Sequence, residues 1–137
     1  MTFKKTAETL YPSATTLKRE YYTNPNILEE EYEKIFSVNW VCAGRISDFQ
    51  ENSQYQVLNI GGESVIILRE DQGELKAFYN VCRHRGTRIC NNSSGKFSKS
   101  IQCGYHGWTY DLKGQLIGAP HMEEISGFDK QDFPLHP

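Results

Sequence analysis

Hydrophobic and polar positions change their period along this chain. Residues 1–18 show little periodicity and read as a weakly ordered arm. From Asn24 the rhythm is helical: Ile27, Leu28, Tyr32, Ile35 and Phe36 recur at three- and four-residue steps. One face of that helix is apolar and is expected to pack on the body of the protein. Asn24-Pro25 supplies the start, a capping side chain followed by a proline whose fixed φ suits the first helical position. Acids follow at Glu29, Glu30, Glu31 and Glu33, and the helix is expected to end near Ser37 or Val38.

From Asn39 the period shortens to that of strands, expected over residues 40–43, 55–60, 64–69, 75–79, 101–102, 108–112 and 115–117. Gly61-Gly62 and Lys113-Gly114 mark hairpins, and Asp71-Gln72-Gly73 another turn. Many short strands with glycine turns predict a mostly β fold: a small antiparallel sandwich or barrel carrying an N-terminal helix. After Ala119-Pro120 the pattern stops, and the acidic, proline-containing remainder reads as a linker. The expected division is therefore 1–38 arm and helix, 39–120 β domain, 121–137 linker.

Composition narrows the classes. A chain of 137 residues, 38 % hydrophobic and 12 % aromatic, suits one domain with a modest core. A net charge of −2 gives no global attraction to nucleic acid or to a membrane surface. No apolar run reaches the roughly 18 residues of a spanning helix. The first ten residues lack the apolar stretch of a secretory signal, so a cytoplasmic location is expected. Thiols stay reduced there, and four cysteines then read as ligands or buried thiols rather than disulfides. Charge is uneven. No acid lies between Glu74 and Asp111, a stretch holding Lys76, Arg83, Arg85, Arg88, Lys96 and Lys99.

The same stretch carries the candidate chemistry. Cys82-Arg83-His84-Arg85-Gly86 and Cys103-Gly104-Tyr105-His106-Gly107-Trp108 each offer one thiolate and one imidazole in a glycine-containing loop beside a strand. A tetrahedral zinc site could be built from two Cys and two His. Zinc modules, however, usually bring ligands as C-x2-C and H-x3–5-H pairs, not as C-x-H with C-x2-H. The alternative is the Rieske pattern, in which two His replace two Cys on one iron of a [2Fe–2S] centre.

The residues around the ligands carry a resemblance. Cys82-x-His84-Arg85-Gly86 with Cys103-x2-His106-Gly107-Trp108-Thr109-Tyr110-Asp111 resembles the Rieske domain of bacterial ring-hydroxylating oxygenase α subunits. Tyr22-Thr23-Asn24-Pro25, Asn39-Trp40-Val41 and Gly118-Ala119-Pro120 extend the likeness over about residues 20–137. The resemblance implies that Cys82 and Cys103 hold one iron of a [2Fe–2S] cluster, and His84 and His106 the other. Two ferric ions, two sulfides and two thiolates sum to a neutral centre, where a four-thiolate cluster carries two negative charges. An electron is then easier to add, and its charge favours protonated imidazoles.

Respiratory-complex Rieske proteins carry an extra loop cysteine pair and a serine hydroxyl donor. Here those positions hold Thr87, Tyr105 and Trp108, which implies a potential nearer about −150 mV than +300 mV. In such subunits a ferredoxin or flavin reductase reduces the cluster. The electron passes to a mononuclear Fe(II) in a larger catalytic domain of the next subunit of a ring. That domain lies outside this chain, which then reads as a fragment or isolated domain of an oxidoreductase. His121, Glu123, Glu124, Asp129, Asp132 and His136 could be imagined as a facial triad, but read as linker polar groups. A free-standing Rieske ferredoxin is the alternative function. The substrate implied by the tail residues is a quaternary ammonium compound, with an aromatic ring as the alternative.

Three further expectations concern single residues. Cys42 and Cys90 read as small buried thiols. Trp108 and Tyr105 read as cluster shields, core, or electron-path aromatics. Arg83, Arg85 and Arg88 read either as a docking face for an acidic donor or catalytic domain, or as a solvated basic loop.

Overall fold

A computed structural model describes residues 15–122 and 124–137. Two short helices open the described chain: α1 (Glu20–Thr23) and α2 (Pro25–Glu31). Asn24 caps α2, its side-chain oxygen accepting from the Asn26 N–H at 3.0 Å. A wider turn over Tyr32–Phe36 continues the helix to Ser37, where the sequence places its end.

Seven strands follow: β1 (Gln54–Ile60), β2 (Glu63–Arg69), β3 (Leu75–Tyr79), β4 (Ser94–Lys96), β5 (Ile101–Gln102), β6 (Thr109–Tyr110) and β7 (Leu116–Gly118). The first four form an antiparallel sheet in the order β3-β2-β1-β4, the last three a smaller one in the order β5-β6-β7. Gly61 and Gly62 turn β1 into β2 with φ of 60° and 85°, the doubly left-handed geometry that a tight hairpin demands and glycine accepts at no steric cost. In β2, Ile66, Ile67 and Leu68 are all buried, as suits an interior strand. Ile66 and Leu68 form one core with Trp108 and with Ile101, Tyr110 and Leu116 from the second sheet.

Two expectations are corrected, one strand is added, and the tail is found in contact with the body. Residues 40–43 form no strand, and Trp40 is fully exposed, because no neighbouring strand pairs with them. Strand β4 has no apolar pattern; it exists by pairing its backbone with β1, where Gly95 lies under the Tyr55 ring. The apolar face of the helix does not pack on the body: Leu28 and Ile35 are about half exposed, at 45 % and 50 %. Residues 121–137 pack back on the body at their end. Leu135 is buried, its N–H donates to the Gly114 carbonyl, and the Tyr79 N–H donates to the His136 carbonyl. The first fourteen residues and Glu123 lie outside the described residues. No helix among the described residues is long and apolar enough to cross a membrane.

Candidate metal centre

The two cysteine–histidine loops share one backbone design. In the first, the Cys82 N–H donates to Thr87 O at 2.8 Å and the Gly86 N–H donates back to Cys82 O at 3.0 Å. In the second, the Cys103 N–H donates to Trp108 O at 2.8 Å and the Gly107 N–H donates back to Cys103 O at 3.1 Å. Each loop thus closes on its own cysteine, five residues apart. The glycine at the reversal has φ of 70° at Gly86 and 73° at Gly107, a conformation that costs other L-residues about 1–2 kcal/mol. Loop one grows from the end of β3, and loop two joins β5 to β6.

The loops pair their side chains by type. Cys82 and Cys103 are both 2 % exposed and near enough to act on each other electrostatically. The His84 and His106 rings meet edge to face, 4.6 Å between centroids. His84 is half-buried and His106 exposed. Sulfur lies inside and nitrogen at the surface. Among the described residues no three His, Cys, Asp or Glu side chains close around one point. Two thiols and two imidazoles, paired by type, are the donor set that a group with two metals would use, one held by the thiols and one by the imidazoles.

Burial pushes the Cys82 thiol up, and the neighbouring Cys103 adds to this, while hydrogen bonds with the Tyr110 hydroxyl and the His84 N–H pull it down. Burial pushes His84 down, helped by His106 and Arg85.

Two supporting residues were not singled out from the sequence, although Tyr110 lies within the second motif. Tyr110 is fully buried, and its hydroxyl lies 3.3 Å from Cys82 Sγ while accepting the Arg83 N–H at 3.1 Å. Either group can donate in the contact with the thiol, and toward a thiolate only the hydroxyl can. Asn80, 1 % exposed, uses its whole amide: Nδ2 donates to Cys90 O and Ser64 Oγ, and Oδ1 accepts from the Ile89 and Cys90 N–H groups. It ties the far side of loop one to the end of β3. Only an asparagine straight after a strand marks it in the sequence.

Trp108 is core and also touches the site, stacked on His84 at 4.9 Å and 9°. Tyr105, 61 % exposed, flanks His106 at 3.8 Å. Cys90 is buried as expected, whereas Cys42 is exposed because the segment around it joins no sheet. Arg85 and Arg88 are exposed; Arg88 reaches Asn59, and Arg83 meets His136. The described tail residues His121, Glu124, Asp129, Asp132 and His136 gather around no common point.

A fold of two small antiparallel sheets carrying paired cysteine–histidine loops defines an iron–sulfur domain of the Rieske class. Residues 39–129 match the Rieske [2Fe–2S] domain family, and the chain belongs to it. It is 36 % identical over 124 residues to a carnitine monooxygenase oxygenase subunit of Acinetobacter baumannii, covering 90 % of this chain and 33 % of that protein. It is equally 36 % identical over 113 residues to the biphenyl 2,3-dioxygenase subunit alpha of Rhodococcus jostii, covering 82 % of this chain and 24 % of that one. Among solved structures, the apo form of the quaternary ammonium Rieske monooxygenase CntA superposes with a TM-score of 0.80 at 35 % identity, over 89 % of this chain and 35 % of that one. The chain thus spans about a third or less of the length of these relatives.

Proposed function

We propose that Cys82 and Cys103 hold one iron of the Rieske [2Fe–2S] cluster and His84 and His106 the other, and that the domain feeds single electrons to the mononuclear iron of an oxygenase. The observation that carries this reading is that the same two loops bury both thiols and pair both imidazoles nearer the surface. Bound there, the cluster supplies one-electron redox chemistry. The chain's own residues do the rest. Cys82 and Cys103 keep the sulfur side dry, Tyr110 aims a proton at Cys82, and His106 brings one imidazole edge to where a partner can approach.

The remaining parts of the reading follow the relatives. A ferredoxin or flavin reductase supplies the electron, and residues 121–137 lead on to a catalytic domain that works in a ring of subunits. A reducing, cytoplasmic compartment suits thiolate ligands. A quaternary ammonium substrate is favoured by the carnitine-oxidising relative and by the CntA likeness. The equal identity to a biphenyl dioxygenase subunit shows that this domain is shared across substrate classes.

An oxygenase part is favoured over a free-standing ferredoxin by one feature. Leu28, Ile35, Val38 and Trp40 are exposed at 45 %, 50 %, 69 % and 105 %, a band that a lone carrier would leave in water.

The test is iron and acid-labile sulfide quantification together with EPR of the reduced protein. Two irons and two sulfides per chain, with a signal abolished by His84→Ala, are expected for such a centre. A colourless protein retaining stoichiometric zinc rejects the assignment.

A further inference from the structure

The two imidazoles sit in unlike surroundings. His106 is exposed, with Tyr105 tilted beside it at 36°. His84 lies flat against Trp108, 9° between planes, and Trp108 is 2 % exposed. Trp108 is itself boxed by Phe128 at 5.8 Å and Phe133 at 5.6 Å, both edge-on, and these two phenyl rings stack on each other at 5.1 Å. Both phenylalanines belong to the segment after Pro120. That segment is anchored through the Leu135 N–H on Gly114 O at 2.8 Å and the His136 carbonyl on the Tyr79 N–H at 2.9 Å. The box therefore has a fixed outer wall.

Ligating histidines are usually oriented by a hydrogen bond from the ring nitrogen that does not face the metal. Among the described residues no hydrogen bond holds the His84 ring. The torsion that turns an imidazole is broad and soft. A flat ring packed on one face restrains that torsion. The Trp108 indole N–H is buried without a partner, so a phenylalanine there would leave no unpaired donor. The larger ring has its advantage in contact area against the imidazole and the two phenyls.

Building on the ligand assignment of His84, we propose that Trp108 is a positioning residue for that imidazole, clamped in place by Phe128 and Phe133 of the C-terminal segment. The segment after Pro120 then belongs to the electron-transfer unit. Its packing is felt at one iron ligand and not at the other.

Pulsed EPR of the reduced, iron-loaded protein reads the couplings of the two ligand nitrogens separately. Trp108→Leu is expected to shift or broaden one nitrogen coupling and leave the other unchanged. Trp108→Phe, which restores a flat ring, is expected to return that coupling toward its parent value. Phe133→Ala is expected to produce a smaller version of the Trp108→Leu change without touching the imidazole. Should Trp108→Leu fail to load iron, Phe133→Ala decides by the same criterion. Unchanged couplings in a loaded variant, or two couplings that move together, overturn the positioning role. A parent protein showing no coupled nitrogen at all sinks the ligand assignment instead, so the two failures are distinguishable.

Discussion

At the scale of single residues, Tyr110 has the sharpest consequence. Its hydroxyl is satisfied on the acceptor side by the Arg83 N–H and faces Cys82 Sγ. A hydrogen bond to sulfur is stronger when the centre carries the extra electron, so it raises the potential. Tyr110→Phe keeps the ring in the core and is expected to lower the midpoint by roughly 30–60 mV, a three- to tenfold change for one electron. Protein-film voltammetry measures it; an unchanged potential means the hydroxyl is purely structural.

The two remaining thiols differ as sharply. Burial pushes the Cys90 thiol up to about 11, partly offset by its hydrogen bond with Tyr55, while Cys42 is exposed. Iodoacetamide followed by peptide mass mapping is expected to label Cys42 in the native protein and Cys90 only after unfolding. The linkage has a definite sign. From the ordinary value of 9.0 up to about 11, native Cys90 holds a proton that the unfolded chain has lost. Stability is therefore intact below that window and falls as pH rises through it, by at most about 2–3 kcal/mol from this group. Urea titrations at both ends should show a smaller drop in Cys90→Ala.

At the scale of elements, glycines show why geometry and contact must be weighed separately. Gly86 has φ of 70°, but a Cβ there meets nothing within 4 Å. Gly114 has φ of 83°, and a Cβ would stand 2.6 Å from the Phe78 ring. Gly86→Ala is expected to cost about 1–2 kcal/mol through backbone strain alone. Gly114→Ala adds overpacking and is expected to cost about 2–4 kcal/mol. Thermal melts of the two variants check the order. The Gly114 turn was legible as Lys113-Gly114, as was the Gly61-Gly62 hairpin, because each turn type demands its residue. Strand β4 was not legible, since Ser94-Gly95-Lys96 contributes backbone and no apolar side chain. Residues 40–43 misled for the opposite reason: they have strand-like side chains and no neighbouring strand.

At the scale of the whole molecule, acids and bases cluster on different elements. The acids Glu29, Glu30, Glu31 and Glu33 lie on or just after α2, and Arg85 and Arg88 are exposed in and after the first loop, Arg85 acting on His84. Surface charges of this kind act mainly on encounter rates and are screened by salt. Arg85→Glu is expected to slow reduction by an acidic donor several-fold at low ionic strength, with the difference shrinking as salt rises. Stopped-flow reduction over a salt series checks it, and a rate indifferent to both changes rejects docking through this face.

Taken alone, the order of residues named the four candidate donors and the loops that carry them, because metal chemistry restricts residue type and glycine restricts backbone form. It also settled most of the strands, through period and turn residues. Tertiary structure decided what depends on neighbours distant in the chain. It sank the thiols and left an imidazole edge outside, brought Tyr110 to Cys82 from 28 residues away, and closed the tail over Trp108. It left the helix face bare. Periodicity states that a face is apolar, but only packed partners decide whether it is covered.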